Sequence, residues 1–219
     1  MIRPDYDKAA TKALEILLEY GISTTPISPL PVLKKMDGVK VRSLTDFSES
    51  LNLKRDSVRV LFGQNMDAMT FHVNHPKIRY VVFYNQRLPL YTLQRGLARE
   101  LGHIVLEHDG HRLPEDVRME EAFCFAHHFL SPRPLIRAVQ DAGIQMTIDQ
   151  LGSMTGCYER CLKGIRKIPA TNVPAELNRE VREQFQDCIT EFIELEKITG
   201  EEDDMTPADF GTFMDGYEE

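Results

Sequence analysis

The chain has 219 residues, 42% of them hydrophobic, and a formal net charge of -8, which is enough apolar material for a real core and for one domain with a helical appendage. No apolar run of about 18 residues occurs and the opening MIRPDYDK carries no hydrophobic signal region, so neither a membrane span nor secretion is indicated and a cytoplasmic location is expected. Residues 200 to 219 hold eight acids and no Lys or Arg, leaving the first 199 balanced at 26 acids and 26 bases, which argues against a generally basic, nucleic-acid-coating protein but leaves room for a local basic patch.

Pro4 and Asp5 open a helix whose apolar positions Ala10, Ala13, Leu14, Leu17 and Leu18 form one stripe, and Gly21 ends it. A proline-punctuated stretch follows, with room for a short helix capped near Ser28, and VKVRSL reads as a first strand. LKRDSVRVLF, from Leu53 to Phe62, suits a short helix. AMTFHVN and IRYVVFYN then read as two strands joined through Asn74 to Lys77, with His72 and His75 as surface residues of the turn.

Pro89 introduces a helix whose buried stripe is Leu90, Leu93, Leu97, Leu101, Ile104 and Val105. A second helix runs from about Pro114 to Leu130 and breaks at Ser131-Pro132-Arg133-Pro134. The rest reads as helical: two short helices around Thr155-Gly156, then one long helix from Pro174 to Ile198 with Leu177, Val181, Phe185, Cys188, Phe192 and Leu195 on a stripe. The last twenty residues read as a flexible acidic tail. Four cysteines, Cys124, Cys157, Cys161 and Cys188, are too few for a disulfide framework and are expected to be reduced.

Chemistry concentrates in the first of the two central helices, at Arg99-Glu100-Leu101-Gly102-His103. Positions 99 and 103 share a helix face, the spacing by which two histidines of an H-E-x-x-H motif hold one zinc ion. Here the first histidine is an arginine, which stays protonated and has no lone pair to offer. Glu100 stands where the general base of a metallopeptidase stands, and His103 where its second ligand stands. Gly102, inside the helix, suggests the close approach of a neighbouring backbone.

Strand IRYVVFYN, helix LQRGLARELGHIVLEHDG and helix MEEAFCFAHHFLSP, in that order, resemble the ImmA/IrrE group of metallo-endopeptidases, the IrrE N-terminal-like domain. Ala122, Phe125, Ala126, Leu130 and Pro132 match the second helix motif of that group. The resemblance covers residues 1 to 168 and leaves 169–199 as a C-terminal helix and 200–219 as the tail. It implies an α+β fold, a zincin-like helix pair packed on a small, mostly antiparallel sheet with a helical C-terminal part. It also implies zinc if the protein is active, and a protein or peptide partner such as a helix-turn-helix repressor or anti-repressor.

The resemblance further implies a third ligand, a Glu, where Met119 falls; a shift of register would bring in Glu120 or Glu121, though each step turns the side chain about 100°. His127, two turns on from Met119, lies on the face of the missing Glu, and His108, Asp109, His111 and His128 are further donors for a rearranged site with His103. Alternatively Arg99 replaces the metal and pairs with Glu120 or Glu121. Three functions follow: a degenerate, non-catalytic regulatory or peptide-binding relative; an active zinc metallo-endopeptidase with IRYVVFYN offering its edge to substrate; and a DNA-binding regulator using Arg160, Lys163, Arg166 and Lys167.

Overall fold

The computed structural model describes residues 2–54, 57, 61–63, 66–110, 113–156 and 169–199. In chain order these form α1 (Tyr6–Glu19), α2 (Pro29–Lys35), β1 (Val39–Ser43), α3 (Leu44–Ser50), β2 (Ala68–His72), β3 (Tyr80–Tyr84), α4 (Leu90–Val105), a 3-10 turn (His108–Gly110), α5 (Glu115–Leu130), α6 (Arg133–Asp141), α7 (Ile148–Thr155), α8 (Ala175–Gln184) and α9 (Gln186–Thr199). The fold is α+β. The chain divides into two compact units, one made of Met1–Ile2 and Ser28–Ala122, the other of Arg3–Ile27 and Phe123–Glu219. Among the described residues no helix is long and apolar enough to cross a membrane.

The first unit is built on a three-stranded sheet of order β1-β3-β2. β2 and β3 run antiparallel with Ala68 opposite Tyr84 and His72 opposite Tyr80, the expected hairpin. β1 joins the other side of β3 in parallel, with Val39 opposite Tyr80, so the sheet is mixed. β3 is therefore paired on both sides and IRYVVFYN has no free edge; the edge strands are β1 and β2, and β2 is the one that borders the groove beside Arg99 and His103. Side chains alternate between the faces: Phe71 and Phe83 join Phe47 and Phe62 in an aromatic cluster with ring centroids 5.0 to 6.1 Å apart, while Ala68, Tyr80 and Val82 are buried on the other face. α4 packs against β2 and β3.

Of the helix expected over 53–62, the described positions Ser57, Leu61 and Phe62 are helical, whereas Leu53 and Lys54 are not. α3 went unforeseen; it begins at Ser43, whose hydroxyl accepts the Asp46 N–H at 3.0 Å as an N-cap. In α4 the stripe holds at Leu97, Leu101 and Ile104, but Leu90 is exposed, and Gln94, Glu100 and Gly102 are buried as well. The middle of α4 is thus enclosed on more than its apolar side, and that is where the motif lies.

The second unit is helical. Asp5 accepts the Lys8 N–H at 2.9 Å to start α1. Gly21, at φ +62, ends it, with Ile22 N–H on Leu17 O and Gly21 N–H on Leu18 O, a Schellman closure. α1 packs on α8, and α6 on α8 and α9. The long helix expected from 174 to 198 is interrupted at Phe185, and burial follows Val181, Phe185 and Ile189, while Leu195 is 54% exposed. α7 starts with a capping box of Thr147 and Gln150. Its expected partner helix, with Cys157, Cys161 and the basic residues of the DNA-binding reading, lies outside the described residues. Cys124 and Cys188 are free thiols.

Candidate functional site

Helical geometry places Arg99 and His103 one turn apart on α4, and both line a groove of about 710 Å³ in the first unit, together with Glu100 and the whole of β2. The groove is bounded on another side by His108, Asp109, Arg118 and Met119. The open edge of β2 borders it. Asn85 N–H donates to Asp67 O and Val73 N–H to Arg79 O, so the odd-numbered residues of β2 turn their main chain to β3. By alternation the main-chain groups of Ala68, Thr70 and His72 face outwards.

Arg99 closes one end of that edge. Its guanidinium grips Asp67 with two hydrogen bonds, 2.9 Å from Nη2 to Oδ1 and 3.3 Å from Nη1 to Oδ2, and donates to Ala68 O at 3.2 Å. It also curls over its own neighbour, with Nη2 2.8 Å and Nε 3.1 Å from Glu100 Oε1. The acids that receive it are thus Asp67 and Glu100, not the expected Glu120 or Glu121. Sequence spacing pointed away from Glu100 because adjacent helical residues do not face one another, but the long arginine stem reaches back across the turn. Asp67 Oδ1 also accepts the Ala68 N–H at 2.7 Å, so both outward main-chain groups of Ala68 are taken.

The three side chains sit at 15% exposure for Arg99, 14% for Asp67 and 7% for Glu100. Burial works against the guanidinium's charge, but Glu100 and Asp67 outweigh it and hold its pKa above the usual arginine value. Burial raises the Glu100 carboxyl above the ordinary range even though the Arg99 charge pulls it down. A general base at this position would thus begin engaged with a permanent cation.

A second network lies beside the first. α4 ends at Val105, and Glu107 takes the left-handed conformation at φ +56, a reversal that returns the chain and brings His108 against His103. His103 Nδ1 is 2.9 Å from His108 Nδ1, and His108 Nε2 is 2.9 Å from Glu121 Oε2. A carboxylate only accepts, so His108 Nε2 carries the hydrogen towards Glu121, and the two Nδ1 atoms share one hydrogen between the rings. Burial, with the His108 ring and the charges of Arg99 and Arg118, holds His103 down at about 3, so that ring is neutral. His108 and Glu121 are each 5% exposed, and Arg118 steadies the turn by donating to His108 O at 3.2 Å.

The other candidates lie elsewhere. Glu120 is exposed. Asp109 is tied to β3, accepting Arg79 Nη2 at 2.9 Å and Tyr80 OH at 3.0 Å. His127 belongs to the second unit, its ring 5.2 Å from that of His128, and burial with the Arg133 charge holds it at about 3. His111 is outside the described residues. Two residues that shape the site were missed in the sequence, Asp67 and Gly96. A Cβ on Gly96 would lie 2.8 Å from Asp67 Cγ and 3.0 Å from its Cβ, so this glycine, one turn before Arg99, is what lets Asp67 reach the guanidinium. Gly102 is itself buried. A glycine three residues ahead of a charged residue inside a helix was the available signal.

The resemblance implies zinc, which takes nitrogen or oxygen donors at about 2.0–2.2 Å and therefore holds neighbouring donors about 3.3 Å apart in a tetrahedron. His103 and His108 approach to 2.9 Å and bond to each other, and the second nitrogen of His108 is taken by Glu121. Among the described residues no group of three His, Cys, Asp or Glu side chains is placed to hold a metal ion. The cation would also face the fixed charge of Arg99. As arranged, these side chains do not fit the metal.

The fold and groove define an α+β unit in which an R-E-x-G-H helix lies along the edge strand of a small mixed sheet. Residues 54–151 of this chain match the family model of the IrrE N-terminal-like domain of the M78 peptidases, a stretch that contains β2, β3, α4 and α5. No curated protein and no solved structure matches the chain.

Proposed function

We propose that the protein is a non-catalytic relative of the zinc metallopeptidases that uses its groove to bind an extended protein or peptide segment in a regulatory role. One observation carries this reading: Arg99, at the position of the first zinc ligand, is locked to Asp67 and to Glu100, the residue that would serve as base. A guanidinium donates only and bears a permanent charge, so it supplies to the two acids what a cation would otherwise supply. The open edge of β2 beyond Ala68 offers main-chain groups to a strand-like partner. A helix-turn-helix repressor is one partner class consistent with the resemblance, and the same groove would serve an unfolded segment of it.

The competing reading is an active metallo-endopeptidase, favoured by the proximity of His103, His108 and Glu121, a two-histidine, one-carboxylate set. Zinc titration followed by calorimetry, with metal content measured after desalting, separates the two. The parent is expected to retain no stoichiometric zinc, whereas Arg99→His, alone or with Met119→Glu, should gain zinc affinity. Stoichiometric zinc in the parent, lost in His103→Ala, would overturn the proposal.

A further inference from the structure

The second unit contains a cavity of its own, about 590 Å³, between α1, the end of α5, α6 and α8. Its chemistry departs from a body whose charges balance. Arg133 and Arg137 of α6 and Arg179 and Arg182 of α8 line it, against one acid, Asp141. Residues four and three apart share a helix face, and α6 and α8 pack side by side, so two pairs of guanidinium groups converge. Like charges at such spacing destabilise a helix, which makes their placement informative.

Three of the ion pairs here are on the rim. Arg182 meets Asp141 at 2.7 Å, and Arg179 meets Glu176 at 3.2 Å and Glu183 at 3.8 Å, all among side chains at least 45% exposed. Among the described residues Arg137 has no ion-pair partner. Deeper in the cavity wall, His128 is 1% exposed. Its Nε2 is 3.3 Å from Thr171 Oγ1, and its Nδ1 is buried with no hydrogen-bond partner among the described residues. Burial, with the His127 ring and the Arg133 charge, keeps the ring neutral, so it offers a hydrogen-bonding group rather than a further charge. Leu14, Pro134 and Val173 supply an apolar wall.

We propose that this cavity binds a small molecule bearing phosphoryl groups, with the α6 and α8 arginines supplying charge and His128 a neutral polar contact. Several planar donor forks suit the multiple oxygens and charges of a phosphoryl group better than a single carboxylate. The volume falls within the roughly 300–1,000 Å³ of small-molecule sites, and a concave pocket of this size suits a compact anion better than a nucleic-acid backbone. Ligand occupancy would give the protein an input separate from its peptide groove.

The test is calorimetric titration of the full chain with inorganic pyrophosphate at fixed ionic strength. Saturable binding with Kd below about 1 mM is expected. Arg137→Gln, an exposed position that leaves the core intact, should weaken it roughly tenfold, the effect of one charge-assisted contact, and Arg133→Gln should weaken it further. Arg42→Gln, in the first unit, should leave it unchanged. No saturable binding, or equal weakening by Arg42→Gln, overturns the proposal. So does tighter binding of a single-stranded oligonucleotide that depends on the same arginines, which would make this a nucleic-acid surface.

Discussion

Replacing Gly96 by alanine should destabilise the protein, against the rule for helices. Gly96 lies inside α4, where alanine is ordinarily favoured over glycine by about 1 kcal/mol. Here the new methyl would lie 2.8 Å from Asp67 Cγ and 3.0 Å from Asp67 Cβ, and a short side chain anchored by its own backbone has no way to swing clear. Asp67 must withdraw, and its two hydrogen bonds to Arg99 go with it. An ion pair at about 4 Å is worth about 4 kcal/mol at an effective dielectric of 20. Glu100 remains to hold the guanidinium, and the pair is partly wetted, so about half of that is expected to be lost. The net change is then about 1 kcal/mol of destabilisation, measured by urea unfolding followed by far-ultraviolet circular dichroism. In an Asp67→Gly background, with both obstructing atoms gone, the same substitution should stabilise by about 1 kcal/mol. If Gly96→Ala stabilises the parent chain, the close approach of Asp67 is not what holds glycine at this position.

Thr70→Pro should leave the urea midpoint nearly unchanged, because its N–H faces the open edge where proline is tolerated, yet abolish binding of an extended peptide measured by fluorescence anisotropy; undiminished binding would remove β2 from the interface. His103 has a folded pKa of about 3, depressed from 6.5, so its contribution to stability is complete above pH 6.5 and is lost as the pH falls towards 3. Urea midpoints at pH 7 and pH 4.5 should therefore converge between parent and His103→Gln as the pH falls, by about 1 kcal/mol given partial solvent access; a gap that widens would reverse the assignment. Phe185→Ala should cost about 3–5 kcal/mol as a fully buried aromatic, whereas Leu195→Ala should change stability by less than about 0.5 kcal/mol, and equal losses would restore the single long stripe read from sequence.

The helices were legible where burial is periodic. α1 appears with most of its stripe and α4 with the middle of its own, because i, i+3, i+4 spacing records a face turned to a core. The sheet was half legible: β2 and β3 declare themselves through alternation and a short turn, but the parallel arrival of β1 depends on a long excursion through α3 that leaves no local trace. The R-E-x-G-H motif and its missing ligand were plain in the sequence. The partners of Arg99 were not, because Asp67 lies 32 positions away in a stretch without periodicity, and Glu100 is an adjacent residue that helical spacing does not suggest but a long flexible stem reaches. His108 stood out among several candidate donors only once the left-handed turn at Glu107 was visible. The stripe of the last helices was read too long because amphipathic spacing continues to Leu195, which the structure leaves 54% exposed.

The closure at Ala68 has a consequence for life in a crowded solution. An open strand edge is a template on which any extended chain, including another copy of this one, can add. Arg99 and Asp67 occupy both outward groups of the first residue, which leaves only Thr70 and His72 to present a free backbone. Two residues are a short ledge for strands to stack into a growing ribbon. The arginine that stands at the first ligand position of this helix thus also shortens the free edge of the neighbouring strand.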